Sequence, residues 1–129
     1  MDDEPATVDR QKRRTFLVVC EDEPSNAHLR ADHLIGHLEH VERHWRRYVV
    51  AGPLREDGED RLTASAFLVY ADDLDDAKSL MAGDPYVASG LYRRIDYRDM
   101  TLSIGTYLGG KIWDDKESLV DRALGGPRR

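Results

Sequence analysis

An α+β fold of order β-α-β-β-α-β is predicted by three features of this 129-residue chain. Short β-branched apolar runs occupy residues 15–20, 48–51 and 62–70; two stretches of helical apolar spacing lie among them; and residues 91–97 alternate. Each element has its own justification. TFLVVC at 15–20 reads as a central strand, and the EDEPSN turn after it is rich in residues that start helices. Residues 29–45 follow as the first helix. YVVA at 48–51 is the second strand, halted by Gly52-Pro53, and the polar loop 55–61 with Gly58 forms a hairpin tip. LTASAFLVY at 62–70 is the third strand. A second helix begins near Asp72, carries Leu74, Ala77, Leu80 and Met81 on one face, and ends at Gly83 as its C-cap. In residues 91–97, Leu91, Arg93, Ile95 and Tyr97 alternate with Tyr92, Arg94 and Asp96, giving a fourth strand with one wetter face. This is the ferredoxin-like arrangement with an antiparallel sheet.

Three segments follow from that reading: a disordered tail at 1–14, the α+β domain at 15–98 and an extension at 99–129. The extension has an apolar run with Gly105 that reads as an added strand or arm. Trp113 is expected over a pocket mouth or a partner subunit, and Asp114 caps a short helix at 115–124 ended by Gly125, with 126–129 mobile.

Composition narrows the function. A hydrophobic share of 40% suits one core, and no apolar run is long enough to cross a bilayer, so no membrane partner is expected. The net charge of −6, with both signs interspersed, argues against nucleic acid, because phosphate binding calls for a concentrated basic surface. There is no signal-peptide pattern, and a lone cysteine, Cys20, fits a cytoplasmic protein. Among three acidic neighbours its thiol is a poor nucleophile. Gly109-Gly110-Lys111 lacks the spacing and hydroxyl of a phosphate-binding loop.

The first helix is the richest stretch. His33, His37, His40 and His44 follow +4, +3, +4 spacing, and the fifth histidine, His28, lies just before them. At about 100° per residue the four fall within roughly 60° of arc. Leu34, Leu38, Val41 and Trp45 form a second stripe about 100° away. The helix is therefore an apolar seam flanked by imidazoles. The sheet has a separate consequence. Two helices cover only one face of four strands, yet the first and third strands are apolar at both odd and even positions. A second copy on the other face is the expected answer, making a homodimer, unless the tail beyond Met100 folds over it.

RADHL at 30–34, AGPL at 51–54, Ser65 opening the third strand, DDLDDA at 72–77 and above all DPYVASGL at 84–91 resemble the YCII-related domain over roughly residues 15–97. The resemblance implies a ferredoxin-like domain that dimerises into an α+β barrel. It also implies a His–Asp pair in a pocket, mapping onto His33 and Asp84. One characterised type in the family is a dehydrochlorinase acting on a chlorinated hydroxyquinol. Ala64 stands where the family has glycine, a change expected to narrow the pocket.

An imidazole takes a proton in one step and returns it in the next, and a carboxylate on one ring nitrogen fixes the tautomer. His33 and Asp84 are thus the candidate catalytic residues for elimination or isomerisation on a small, anionic organic molecule. Arg30, one turn earlier, is placed for a carboxylate or phenolate, with Ser65 and Tyr86 as hydrogen-bond donors. Each residue has a structural alternative. Asp84 before Pro85 is also an N-cap, His33 a boundary histidine, Arg30 the partner of a nearby acid and Ser65 a plain strand residue. No cofactor is implied. Two other classes stay open: metal binding through His33, His37 and Asp84, or His40 with His44, and a non-catalytic ligand-binding or regulatory dimer module.

Overall fold

The computed structural model describes residues 3–124. The chain divides into two compact units, residues 13–100 and the terminal segments 1–12 with 101–129. The larger unit holds a four-stranded antiparallel sheet in the order β2-β3-β1-β4, built from β1 (Thr15–Asp22), β2 (Tyr48–Leu54), β3 (Ala64–Tyr70) and β4 (Tyr92–Asp99). This order and the intervening helices make it the ferredoxin-like α+β arrangement expected from the sequence.

Side chains alternate across each strand, so burial separates the two faces. Phe16, Val18 and Cys20 of β1 and Phe67 and Val69 of β3 point to the helices and form the core with Ala77, Leu80 and Met81. The register puts Leu17, Val19, Ala66, Leu68 and Val50 on the other face, beside the charged Arg94, Asp96 and Arg98 of β4. Val50 there is 62% exposed.

The helices differ from the sequence reading in one respect that decides the site. Residues 29–45 are not one helix. A short turn, α1 (Leu29–Asp32), is separated from α2 (Leu34–Arg43) by His33, whose φ of −112° and ψ of 14° leave the helical region. A 3₁₀ turn at Trp45–Arg47 then leads into β2. The break turns Trp45 off the leucine stripe and leaves it 61% exposed. In the second half, α3 (Leu74–Ala82) is capped by Asp73, whose side chain accepts from the Asp76 amide at 2.8 Å. Gly83 ends α3 as its C-cap, as expected, and does so in a right-handed conformation that does not itself call for glycine. Its role is steric: a Cβ there would lie 3.0 Å from His40 Cε1. One more turn, α4 (Pro85–Ala88), starts at Asp84, and Gly90 leaves it at φ +89°.

Gly52-Pro53 does not halt β2, which runs on to Leu54. As an edge strand paired only with β3, it accommodates a residue without an amide hydrogen.

In the smaller unit the N-terminal segment, expected as a disordered tail, runs alongside β6 (Gly110–Lys111), which pairs with β5 (Ile104–Gly105). Val8 N–H donates to Lys111 O at 2.7 Å and Lys111 N–H to Ala6 O at 2.9 Å. A Cβ on Gly110 would overlap the Ala6 carbonyl, so glycine permits this approach. A helix, α5 (Lys116–Ala123), follows, capped by Asp115 rather than Asp114. Gly125 and residues 126–129, expected to end that helix and to be mobile, lie outside the described residues.

Candidate functional site

The helical face that turns inward is the imidazole face. His40 is 5% exposed, its Nε2 donating to the Leu80 carbonyl at 3.0 Å, and His44 lies against it with ring centroids 4.8 Å apart. Burial holds the His40 pKa below the usual imidazole value; the neighbouring charges of His44 and Arg43 add to this, and Asp84 opposes it. The leucine stripe faces a hollow instead, with Leu34 43% and Leu38 42% exposed.

Asp84 meets His37, not His33. His37 Nδ1 lies 2.8 Å from Asp84 Oδ2 and 3.0 Å from Oδ1. His33 forms the joint between α1 and α2, and among the described residues its side chain makes no hydrogen bond. The two histidines share a face in sequence, but one turn of helix is about 5.4 Å, enough to decide which reaches the carboxylate. Gly36 sets the choice. A Cβ at Gly36 would lie 3.0 Å from Pro85 Cγ, so glycine lets α2 close on α4 beside Asp84. A glycine inside a helical pattern was the available signal for this close approach.

Asp84 is fully buried, and both readings of it hold in the geometry. As N-cap, its Oδ1 accepts from the Tyr86 amide at 2.9 Å; both oxygens also face His37 Nδ1. Tyr86 stacks on the His37 ring with centroids 4.0 Å apart and planes 8° from parallel. The Tyr86 hydroxyl donates to the Arg30 carbonyl at 2.9 Å, so its proton is not free for a ligand, contrary to the expectation that it would be a donor. Its role is to clamp the imidazole.

Arg30 is held, as the structural alternative had it, by a nearby acid. Its Nε donates to Asp22 Oδ2 at 2.6 Å and its Nη2 to Asp22 Oδ1 at 2.9 Å, Ala64 O at 2.9 Å and Ser65 Oγ at 3.0 Å. Burial pulls the Arg30 pKa down, but the hydrogen bond and charge of Asp22 outweigh it and leave the pKa raised. The Tyr86 hydroxyl also lies within the reach of the guanidinium, which lowers the Tyr86 pKa against the larger upward push of burial. Tyr92 OH also donates to Ser65 Oγ, at 3.2 Å, leaving the Ser65 proton to be given elsewhere.

These groups line a cavity of about 290 Å³ between α2 and β2. Arg30, Ser65, His37 and Tyr86 mark its polar end, and Leu34, Leu38, Val41, Leu62 and Phe67 its apolar body. The cavity thus offers one imidazole nitrogen, Nε2, held in place through the other, with a guanidinium edge and a hydroxyl nearby. Ala64 does not line it. Alternation puts that side chain on the opposite sheet face from Ser65, so the change from glycine leaves the cavity's width alone. Cys20 is buried in the core, and desolvation pushes its thiol up to about 12. No group of three or more His, Cys, Asp or Glu among the described residues is placed to hold a metal, and no helix there is long and apolar enough to cross a membrane.

Comparison with known proteins agrees with this fold. Among solved structures, the chain is similar to the 5-chloro-2-hydroxyhydroquinone dehydrochlorinase of Burkholderia phenoliruptrix AC1100 in complex with 2,5-dihydroxybenzoquinone. The two share 25% identity and a TM-score of 0.62, over 72% of this chain and 97% of that one. A comparison with curated protein sequences gives no match. The family model of the YCII-related domain matches residues 15–101. The chain therefore belongs to the YCII-related domain family.

Proposed function

We propose that the chain is a small acid/base enzyme of lyase or isomerase type, with His37 as proton carrier and Asp84 as the group that orients it. The observation that carries this reading is the 2.8 Å contact between His37 Nδ1 and a fully buried carboxylate at the wall of a cavity. With Nδ1–H directed to Asp84, Nε2 has its lone pair free to take a proton from a substrate C–H or O–H. Asp84 steadies the imidazolium so formed. Negative charge left on a substrate oxygen is received by the Arg30 guanidinium and the Ser65 hydroxyl. In an elimination, a leaving group departs with its electron pair from the adjacent carbon; in an isomerisation, His37 returns its proton to a different carbon. The likeness to a dehydrochlorinase supports the first of these. The apolar sheet face opposite the helices supports a working unit of two copies, and the Arg30 guanidinium at the cavity's polar end supports a small organic anion as substrate; we place the protein in the cytoplasm.

The test is turnover. Purified chain is incubated with 5-chloro-2-hydroxyhydroquinone and with a panel of hydroxylated aromatic acids in D₂O, following chloride release and deuterium incorporation. Turnover or exchange that is lost in His37→Gln and retained in His33→Gln supports the proposal. Binding without turnover or exchange would instead mark a ligand-binding module.

A further inference from the structure

We propose that the smaller unit holds a second binding site, for a small aromatic carboxylate. The site is a cavity of about 570 Å³ formed within the terminal segments, outside the helices and sheet that carry His37. That volume lies in the range of about 300–1,000 Å³ usual for small-molecule pockets. Its walls divide into two chemistries. Trp113, Ile112 and Leu119 supply apolar surface, whereas Arg10 and Arg122 bring two guanidinium groups.

The cations are what point to a ligand. No acidic side chain lines the cavity, and neither Arg10 nor Arg122 makes a hydrogen bond or ion pair among the described residues. The charge of Asp115 reaches Arg122 without a direct ion pair, and both Asp115 oxygens are taken up in capping α5, Oδ1 accepting from the Ser118 amide at 2.8 Å and Oδ2 from the Ser118 hydroxyl at 3.2 Å. Leu119 and Arg122 are three residues apart on α5 and so present an apolar and a charged group from one helix face. The Thr101 hydroxyl, also on the wall, makes no hydrogen bond among the described residues and adds a donor. Two guanidinium forks with a hydroxyl suit a carboxylate, which they meet edge-on. The indole and its aliphatic neighbours suit a flat apolar body.

Calorimetric titration of the full chain with 2-naphthoate and its neutral analogue 2-naphthamide tests this. The expected result is binding of naphthoate at least tenfold tighter than naphthamide. Arg10→Gln and Arg122→Gln should each weaken naphthoate about tenfold and leave naphthamide unchanged. Trp113→Leu should weaken both, and Leu38→Trp, which fills the cavity beside His37, removes any binding there so that the affinity remaining is that of the smaller unit. The proposal is overturned by the absence of naphthoate binding at millimolar concentration, by equal affinity for the acid and the amide, or by full affinity in the Arg10→Gln/Arg122→Gln double variant. Loss of naphthoate binding in Leu38→Trp alone would place the ligand in the other cavity and overturn it as well.

Discussion

His37 Nδ1 and Asp84 Oδ2 lie 2.8 Å apart, although the two residues are 47 positions apart in the chain. Because the carboxylate is fully buried and also caps α4, charge and cap are separable by substitution. Asp84→Asn retains an oxygen for the Tyr86 amide but loses the charge that fixes the imidazole. It is expected to reduce turnover by roughly 10²–10⁴ while costing little stability. Asp84→Ala loses both and should cost about 2–3 kcal/mol in urea unfolding.

Gly36 brings that pair together. In an open helix, Gly→Ala stabilises by about 0.5–1 kcal/mol. Here the added Cβ lies 3.0 Å from Pro85 Cγ, and the ring must shift by a few tenths of an ångström. Gly36→Ala should therefore show no gain in melting temperature, and Gly36→Val a clear loss, each with turnover falling more than substrate binding as the two helices are pushed apart.

The Asp22–Arg30 pair is another buried contact, with side chains 6% and 14% exposed. Removing one partner strands the other away from water. Arg30→Met is expected to destabilise by about 3 kcal/mol, because an unpaired buried carboxylate is costly. Asp22→Asn with Arg30→Met should recover part of this, and a double-mutant cycle by chemical denaturation measures the coupling.

Acid sensitivity should come in part from His40. Its folded pKa lies below the ordinary value because it is buried, so the unfolded chain takes up a proton at a pH where the folded chain does not. The stabilisation is therefore present above an unfolded pKa of about 6.5 and is lost as pH falls from there toward the folded value. His40→Gln should flatten the fall in stability between pH 7 and pH 5 relative to the wild type.

Much of this was legible in the sequence, and the failures have physical causes. The strand and helix order follows from apolar periodicity, and Asp84-Pro85 with Gly90 spells a one-turn helix by local capping rules alone. The pairing of Asp84 with a histidine was implied only by the family resemblance, which pointed to His33 where the structure has His37. His33 and His37 lie on one face, and only the break at His33 and the approach of α4 to Gly36 distinguish them. The amphipathic reading was inverted for a related reason. The leucines of α2 line a cavity while His37 and His40 turn inward, where Asp84 and the Leu80 carbonyl satisfy them. Periodicity identifies faces; it does not say which one meets a polar neighbour from residues 80–84.

The most direct test of the central claim is the protonation pattern of His37, read from long-range ¹⁵N–¹H correlations in the folded chain. The neutral ring should carry its proton on Nδ1, facing Asp84, with Nε2 unprotonated, and Asp84→Asn should disturb that pattern while leaving His33 unchanged. A neutral His37 protonated on Nε2, or one indifferent to Asp84→Asn, would contradict the proposal that this imidazole is held ready to accept a proton from the cavity.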